Sequence, residues 1–213
     1  MGFWRTFFRK PAQATGTPLN IYMFTPTALV RHTTTLIKDP RYFVNRLRVM
    51  VYQVVHPRDP WLTAESIRLI NKKLAKDMRG FEWGSGRSTI YFAERLQHLV
   101  SVEHDHDWWQ RVSKQLEKRR LANVTYQFVD LTVDRDAYHQ VIAAYPDGYF
   151  DLILVDGESR ENCVRAAVPK LRSGGYLVLD NSEESVDTSA CAKLERIDAH
   201  NGVWTTTVFI KAS

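Results

Sequence analysis

The spacing of apolar residues along the chain changes near residue 80. Before that point, apolar side chains recur every three to four positions, first after Asp39-Pro40 and again after Thr63. This spacing is typical of amphipathic helices, and it predicts helices over 40–55 and 63–78. The two start sites agree with this prediction, because Asp and Thr cap helices well and proline is accepted at the first helical position.

From residue 80 onward, short apolar runs alternate with segments of helical spacing. Such alternation is typical of an α/β fold built on a parallel sheet. The run 150–155 is nearly all apolar, as a strand buried on both faces should be. Strands are predicted near 80–83, 98–102, 124–129, 150–155 and 175–180, and helices near 88–96, 106–120, 136–144 and 160–171.

The last forty residues depart from this alternation. Two runs, 195–199 and 203–211, are separated by His-Asn-Gly. Asn201-Gly202 suits the two positive φ angles of a type I′ turn, so an antiparallel hairpin is predicted to close the sheet.

The chain has 213 residues, enough to bury a core without disulfides or metal. Its two cysteines, Cys163 and Cys191, are too few for a disulfide framework and lie in no metal-binding pattern. No run is long enough for a membrane-spanning helix or a signal peptide. We therefore expect a cytoplasmic protein.

The net charge of +5 is unevenly distributed. Residues 1–60 carry 9 Lys and Arg against 2 Asp and Glu, a balance of +7, whereas residues 61–213 carry 20 against 22, a balance of −2. Aromatic side chains near Trp4 lie among the basic ones, so this segment could contact anionic lipid or nucleic acid, or be a solvated face with a disordered tip. Residues 10–27, rich in proline and small polar residues, are predicted to form a loop.

A candidate ligand site follows the first predicted strand. The turn Gly84-Ser-Gly86 allows close approach of the backbone to a ligand, because glycine reaches positive φ at little cost. Glu103 ends the next strand, where an acidic residue can accept both hydroxyls of a ribose. Thr89 stands where a dinucleotide-binding fingerprint has its third glycine, which disfavours NAD and leaves S-adenosylmethionine as a candidate.

Residues 63–211 resemble the class I S-adenosylmethionine-dependent methyltransferases. The run 82–88 is similar to the family's E/D-x-G-x-G motif, Glu103 matches its ribose-binding acid, and Asp130 follows the third strand where the family contacts adenine. Residues 151–156 and 174–180 are similar to its fourth and fifth strands. The resemblance implies cofactor contacts from Glu82, Trp83, Gly84, Ser85, Gly86, Ser88, Glu103, His104, Asp130, Leu131 and Asp156.

The fold implied by the resemblance is Rossmann-like and doubly wound. It has a mostly parallel seven-stranded sheet, the C-terminal antiparallel hairpin and a preceding helical extension. We expect residues 63–213 to form the cofactor-binding domain and residues 1–62 to form a basic, partly helical extension or a cover for the acceptor site.

Two mechanisms follow from a further resemblance. In the metal-dependent catechol and caffeoyl-CoA O-methyltransferases, three residues at the ends of the fourth and fifth strands hold a divalent cation, and Asp156, Asp180 and Asn181 stand in the corresponding places. Such oxygen ligands suit Mg²⁺, which would orient an acceptor hydroxyl. Without an ion, Asp156 or Glu158 becomes the general base, and Arg160 would position an anionic acceptor.

The expected function is O-methylation of a small molecule. Two alternatives stay open: methylation of RNA or protein guided by the basic N-terminal segment, and a non-catalytic partner module that keeps the fold. Nucleic acid is not the expected partner, because the Asn/Asp-Pro-Pro-Phe/Tyr motif of base methyltransferases does not follow the fourth strand. Peripheral membrane contact through the N-terminus and a homodimer are further expectations.

Overall fold

The computed structural model describes residues 40–213. The predicted loop at 10–27 therefore lies outside the described residues. The first described element, α1 (Pro40–Val55), has the predicted bounds. It belongs to a unit that ends at His56, whereas a second compact unit comprises Pro57–Ser213, and each is described by itself. Among residues 40–213, no helix is both long and apolar enough to span a bilayer.

The second unit alternates helices and strands as predicted. Its helices are α2 (Ala64–Asn71), α3 (Arg87–Ala93), α4 (His106–Arg119), α5 (Arg135–Gln140) and α6 (Arg160–Lys170), with 3₁₀ turns at Val141–Ala144 and Ser189–Cys191. Its strands are β1 (Arg79–Trp83), β2 (His98–Glu103), β3 (Val124–Phe128), β4 (Phe150–Val155), β5 (Leu171–Asp180), β6 (Glu195–His200) and β7 (Thr205–Ile210). They form one sheet in the order β3-β2-β1-β4-β5-β7-β6.

The sheet pairing confirms the predicted fold class. Strands β1 to β5 pair in parallel, and β7 is antiparallel to both β5 and β6. Helices cover both faces: α5 and α6 pack on one face over a core that includes Phe81 and Ile153, and α2 and α3 pack on the other over Leu152 and Val178. All six residues of β4 are buried, as its apolar run predicts.

The predicted type I′ turn of the C-terminal hairpin is wrong. Only Gly202 has a positive φ, of 83°, and Asn201 does not. The Asn201 side-chain oxygen accepts hydrogen bonds from the backbone N–H groups of Val203 and Trp204, at 2.9 and 3.0 Å. This side chain therefore organises a four-residue loop between β6 and β7 in place of a two-residue turn.

The largest other shifts in predicted bounds affect three elements. Helix α2 ends at Asn71 and not at 78, since the chain must turn before β1 begins at Arg79. Strand β5 begins at Leu171, which pairs with Phe150 ahead of a register shift, so its first residues lie outside the apolar run that predicted 175–180. The helix predicted over 136–144 divides into α5 and a 3₁₀ turn.

Candidate functional site

The predicted site residues meet at the carboxyl ends of β2, β1 and β4. Strands β2 and β3 lie on one side of β1, and β4 and β5 lie on the other, so the strand order reverses between β1 and β4. Open parallel sheets bind ligands at such a switch point. Two backbone hydrogen bonds tie the strand ends together, from Asp156 N to Trp83 O and from Gly84 N to Val102 O, both at 2.9 Å.

Gly84 sits where a side chain cannot fit. Its φ is +86°, and a Cβ atom there would lie 2.8 Å from the carbonyl carbon and oxygen of Asp156. Because those atoms are backbone, the clash could not be relieved by a change of rotamer. The turn therefore needs glycine both for its left-handed conformation and for close contact with the chain after β4.

Glu82 lies fully buried beneath the turn. Its Oε1 accepts hydrogen bonds from the hydroxyls of Thr89 and Ser101, the latter at 2.7 Å. Its Oε2 is buried and has no hydrogen-bond partner among residues 40–213. Burial raises the pKa of Glu82 to about 7, although the hydroxyls of Thr89, Ser101 and Ser88 oppose the shift. A buried carboxylate with one open oxygen can accept a hydrogen bond from a ligand ammonium group, directly or through water.

The raised pKa of Glu82 predicts a pH-dependent stability. An unfolded chain ionises this group near its ordinary pKa of 4.5, whereas the folded chain ionises it near 7. The stabilisation is therefore complete below pH 4.5 and is lost as pH rises to about 7. Against Glu82→Gln, the wild-type protein should lose about 3 kcal/mol of unfolding free energy between pH 4.5 and 8. Urea unfolding of both proteins across this pH range measures the difference. If the unfolding free energies of the two proteins changed with pH in parallel, the raised pKa of Glu82 would be wrong.

Glu103, the predicted ribose acid, ends β2 and is 3% exposed. Its Oε2 accepts from the backbone N–H and the hydroxyl of Ser85, at 3.0 and 2.7 Å. Its Oε1 accepts from the backbone N–H groups of His104 and Asp105, at 2.8 and 2.9 Å. Burial would raise the pKa of Glu103, but the His104 side chain and the hydrogen bonds from Asp105 and Ser85 outweigh it and lower the pKa below its usual value. The side chain is therefore a carboxylate at neutral pH.

Ser85 links the turn to three other elements. Besides its bonds to Glu103, its hydroxyl lies 2.7 Å from the hydroxyl of Tyr126 on β3, and its carbonyl accepts a 2.8 Å hydrogen bond from Trp108 Nε1 on α4. Trp108 thus anchors the turn. The neighbouring Trp109 instead packs against Tyr126 and Phe128.

His104 and Asp130 border the same end of the sheet. His104 Nδ1 lies 3.2 Å from Glu103 Oε1. Burial would lower the pKa of His104, but the neighbouring Glu103 carboxylate more than compensates and raises it. Asp130 is exposed, and its Oδ1 accepts from the backbone N–H and hydroxyl of Thr132, while Leu131 packs against the core. Asp130 follows β3 as predicted, and its contact with adenine remains a prediction.

Two predicted contact residues have structural roles in the turn. The Trp83 side chain is fully buried, and its Nε1 donates a 2.8 Å hydrogen bond to the carbonyl of Tyr138 on α5. Ser88 is buried after the turn at 7% exposure. Thr89 stands where the dinucleotide-binding fingerprint has a glycine, and its side chain supports the turn. Its hydroxyl accepts a hydrogen bond from the Gly86 N–H at 2.9 Å and donates one to Glu82. From the sequence alone, Thr89 is only a departure from the dinucleotide-binding fingerprint, and this role is not predicted.

The candidate acceptor residues follow β4. Asp156 is half-buried and Glu158 is exposed. The Arg160 guanidinium donates Nε to the carbonyl of Gly157 at 3.2 Å and forms a 2.7 Å ion pair with Glu184. Arg160 is thus already paired with an anion, which weakens its predicted role in positioning an anionic acceptor.

The predicted Mg²⁺ ligands gain no support. Asp180 is fully buried, and its Oδ1 accepts a 2.8 Å hydrogen bond from the hydroxyl of Thr206 on β7. Asn181 follows with a left-handed φ of 52°. In the described part of the chain, no three His, Cys, Asp or Glu side chains are grouped to hold a metal. Metal binding by Asp156, Asp180 and Asn181 remains a prediction.

Sequence reasoning missed one buried polar group at this edge of the sheet. Tyr138 on α5 is fully buried, and its hydroxyl has no hydrogen-bond partner among residues 40–213. A Cβ atom at Gly157 would lie 2.0 Å from that hydroxyl, so the hydroxyl lies at the end of β4. Burial raises the pKa of Tyr138 far above its usual value, so the hydroxyl stays protonated. In the sequence, the helical spacing of Tyr138 predicts only a core position.

Comparison with known proteins agrees with this architecture. Residues 81–182 match a family described as a methyltransferase domain. Similar solved structures include an rRNA methylase from Streptococcus thermophilus (11% identity, TM-score 0.55, covering 70% of this chain and 95% of that one) and the putative methyltransferase yhhF from Escherichia coli (12%, 0.57, 70% and 83%). A putative methyltransferase from Streptococcus mutans, in complex with SAH, is similar at 12% identity and a TM-score of 0.52, covering 68% and 94%. No curated protein matches.

The matched domain, the strand order and the closing antiparallel hairpin define the class of protein. The methyltransferase match over residues 81–182, together with the sheet that carries it, supports a class I S-adenosylmethionine-dependent methyltransferase. The predicted resemblance, the Rossmann-like fold and the enzyme class are therefore confirmed.

Proposed function

We propose that the enzyme methylates a hydroxyl group of a small molecule, with S-adenosylmethionine held at the switch point between β1 and β4. The observation that carries this proposal is the turn at Gly84, which leaves no room for a side chain and stands over a buried carboxylate with an open oxygen, Oε2 of Glu82. Glu103 on the adjacent strand supplies the ribose acceptor. These residues fit a nucleoside that carries an ammonium group and has no pyrophosphate.

Bound S-adenosylmethionine supplies an activated methyl group on a sulfonium sulfur. The protein then needs chiefly to align the acceptor and to remove its proton. Asp156 is the better placed base of the two candidates, since it is half-buried at the end of β4, whereas Glu158 is exposed. Burial raises the pKa of Glu82, and charge repulsion from Asp156 adds to this rise.

Calorimetry with S-adenosylhomocysteine tests the cofactor site directly, and absence of binding at millimolar ligand would contradict the proposal. Transfer of a labelled methyl group to a panel of phenols, catechols and hydroxy acids, with total RNA and a protein extract alongside, then tests the acceptor class. Labelling of RNA alone, together with an RNA affinity that falls steeply with salt, would favour the macromolecular alternative.

Membrane contact through the N-terminal segment remains a separate proposal, supported by α1. Its face carries exposed apolar side chains between 38% and 65% exposed: Phe43, Val44, Leu47, Val51, Val54 and Val55. The helix has three arginines and no acidic residue. Such a helix suits an anionic lipid surface. Co-sedimentation with anionic but not neutral vesicles is expected for the full chain, and Val51→Glu should reduce it more than Gln53→Glu on the opposite face.

A further inference from the structure

Arg87 is a half-buried cation, and one of its guanidinium nitrogens is fully buried. It begins α3 directly after the turn Gly84-Ser-Gly86. Its Nη1 atom is buried and has no hydrogen-bond partner among residues 40–213. Burial lowers the pKa of Arg87, which reflects the cost of removing its charge from water. A buried donor atom of a charged group is seldom left without a partner.

A second donor without an acceptor lies beside it. The Arg87 guanidinium carbon is 5.4 Å from the centre of the Trp61 ring, and the Trp61 Nε1 atom is likewise buried and without a partner in the described chain. Both groups can only donate hydrogen bonds. Each buried donor left without an acceptor costs free energy, and the cost is larger for the charged one. The missing partner is therefore an acceptor, and beside a guanidinium it is best an anion.

We propose that Arg87 and Trp61 form an oxyanion subsite next to the Gly84–Gly86 turn, which takes a carboxylate or phosphate group. The planar guanidinium fork suits either group. This inference rests on the proposed function, because the turn is where the cofactor is placed. Two sources of the anion are compatible with that position: the carboxylate of the cofactor's methionine part, and an anionic group on the acceptor.

The subsite also changes the expected role of Arg160. Arg160 forms a 2.7 Å ion pair with Glu184, whereas Arg87 has no such partner among residues 40–213. If the subsite holds an acceptor anion, that anion is therefore bound by Arg87 and not by Arg160.

Binding measurements on three variants test the subsite. Arg87→Met removes the charge and keeps an apolar stem, and Trp61→Phe removes the indole N–H and keeps a smaller aromatic ring. Arg111→Met, at an exposed position of α4, is the matched control for loss of one positive charge. Each full-length protein is titrated with S-adenosylhomocysteine, with 5′-methylthioadenosine, which lacks the carboxylate, and with phenyl phosphate in the presence of saturating S-adenosylhomocysteine.

The two sources give different results. If the subsite holds the cofactor carboxylate, Arg87→Met should weaken S-adenosylhomocysteine binding about tenfold or more and leave 5′-methylthioadenosine within about twofold. If it holds an acceptor anion, S-adenosylhomocysteine binding is unchanged, and phenyl phosphate binds wild type about tenfold more tightly than Arg87→Met. Trp61→Phe should show a smaller loss in the same titration.

Equal affinities of wild type and Arg87→Met in all three titrations would overturn the subsite. Water would then be the partner of both donors. The proposed function would not be affected by this result. If wild type fails to bind S-adenosylhomocysteine, the proposed function fails. Titration with inorganic phosphate alone then decides the subsite, which stands only if phosphate binding depends on Arg87. Should Arg87→Met not fold, Trp61→Phe carries the same comparison.

Discussion

Replacing Gly84 by alanine is expected to destabilise the second unit by about 3 kcal/mol or more and to abolish binding of S-adenosylhomocysteine. The new Cβ would lie 2.8 Å from the backbone of Asp156 at a φ of +86°. To relieve this clash, the turn or the end of β4 must move, and both form part of the proposed cofactor site. Urea unfolding gives the stability, and calorimetry gives the affinity.

Gly148→Ala is the matched control for Gly84→Ala. Gly148 also has a positive φ, of +67°, but a Cβ atom there would meet only the Arg172 Cα at 3.9 Å. This variant should cost about 1 kcal/mol, from backbone strain alone, and bind S-adenosylhomocysteine normally. Equal destabilisation by the two substitutions would show that strain, and not close approach of the strand ends, explains the glycine.

The second large effect is expected for Glu103→Ala, which should weaken S-adenosylhomocysteine binding about a hundredfold or more. Two ribose hydroxyls would lose a charged acceptor, and hydrogen bonds to charged groups contribute about 1.5–3 kcal/mol each. The substitution also leaves the N–H groups of Ser85, His104 and Asp105 without their acceptor. Affinity is therefore measured by calorimetry below the melting temperature of the variant.

Ser85→Ala separates the ribose contact from the stability of the turn. It removes the hydroxyl that occupies Glu103 Oε2 and leaves the carboxylate in place. It should bind S-adenosylhomocysteine at least as tightly as wild type. If Glu103→Ala, correctly folded, bound within threefold of wild type, the ribose role of Glu103 would be wrong.

The elements that the sequence predicted well are those set by local pattern. The apolar run at β4 and the acidic residue that ends β2 follow from strand burial and from the edge where parallel strands end. The hairpin was also predicted, but its turn was not, because the Asn201 side chain replaces the backbone bonds that a type I′ turn would use.

Contacts between distant residues were not predictable in the same way. Thr89 bonds to buried Glu82, and Arg87 and Trp61 each have a donor without an acceptor. In neither case does the spacing of the two residues in the sequence follow a helical or strand period. Tyr138 has an ordinary core position in the pattern, and only packing places its hydroxyl at the end of β4. Such groups become visible once burial and hydrogen-bond partners are known together.

The Ser85 hydroxyl already makes with Glu103 the contact that a ribose hydroxyl would make. Binding of the nucleoside then includes an exchange of hydrogen-bond partners at that atom. The exchange requires the Ser85 hydroxyl to leave Glu103 and Tyr126 first. Association should therefore be slower than diffusion and nearly independent of solvent viscosity, and release of the spent cofactor should be helped by the returning serine, which competes for the same oxygen.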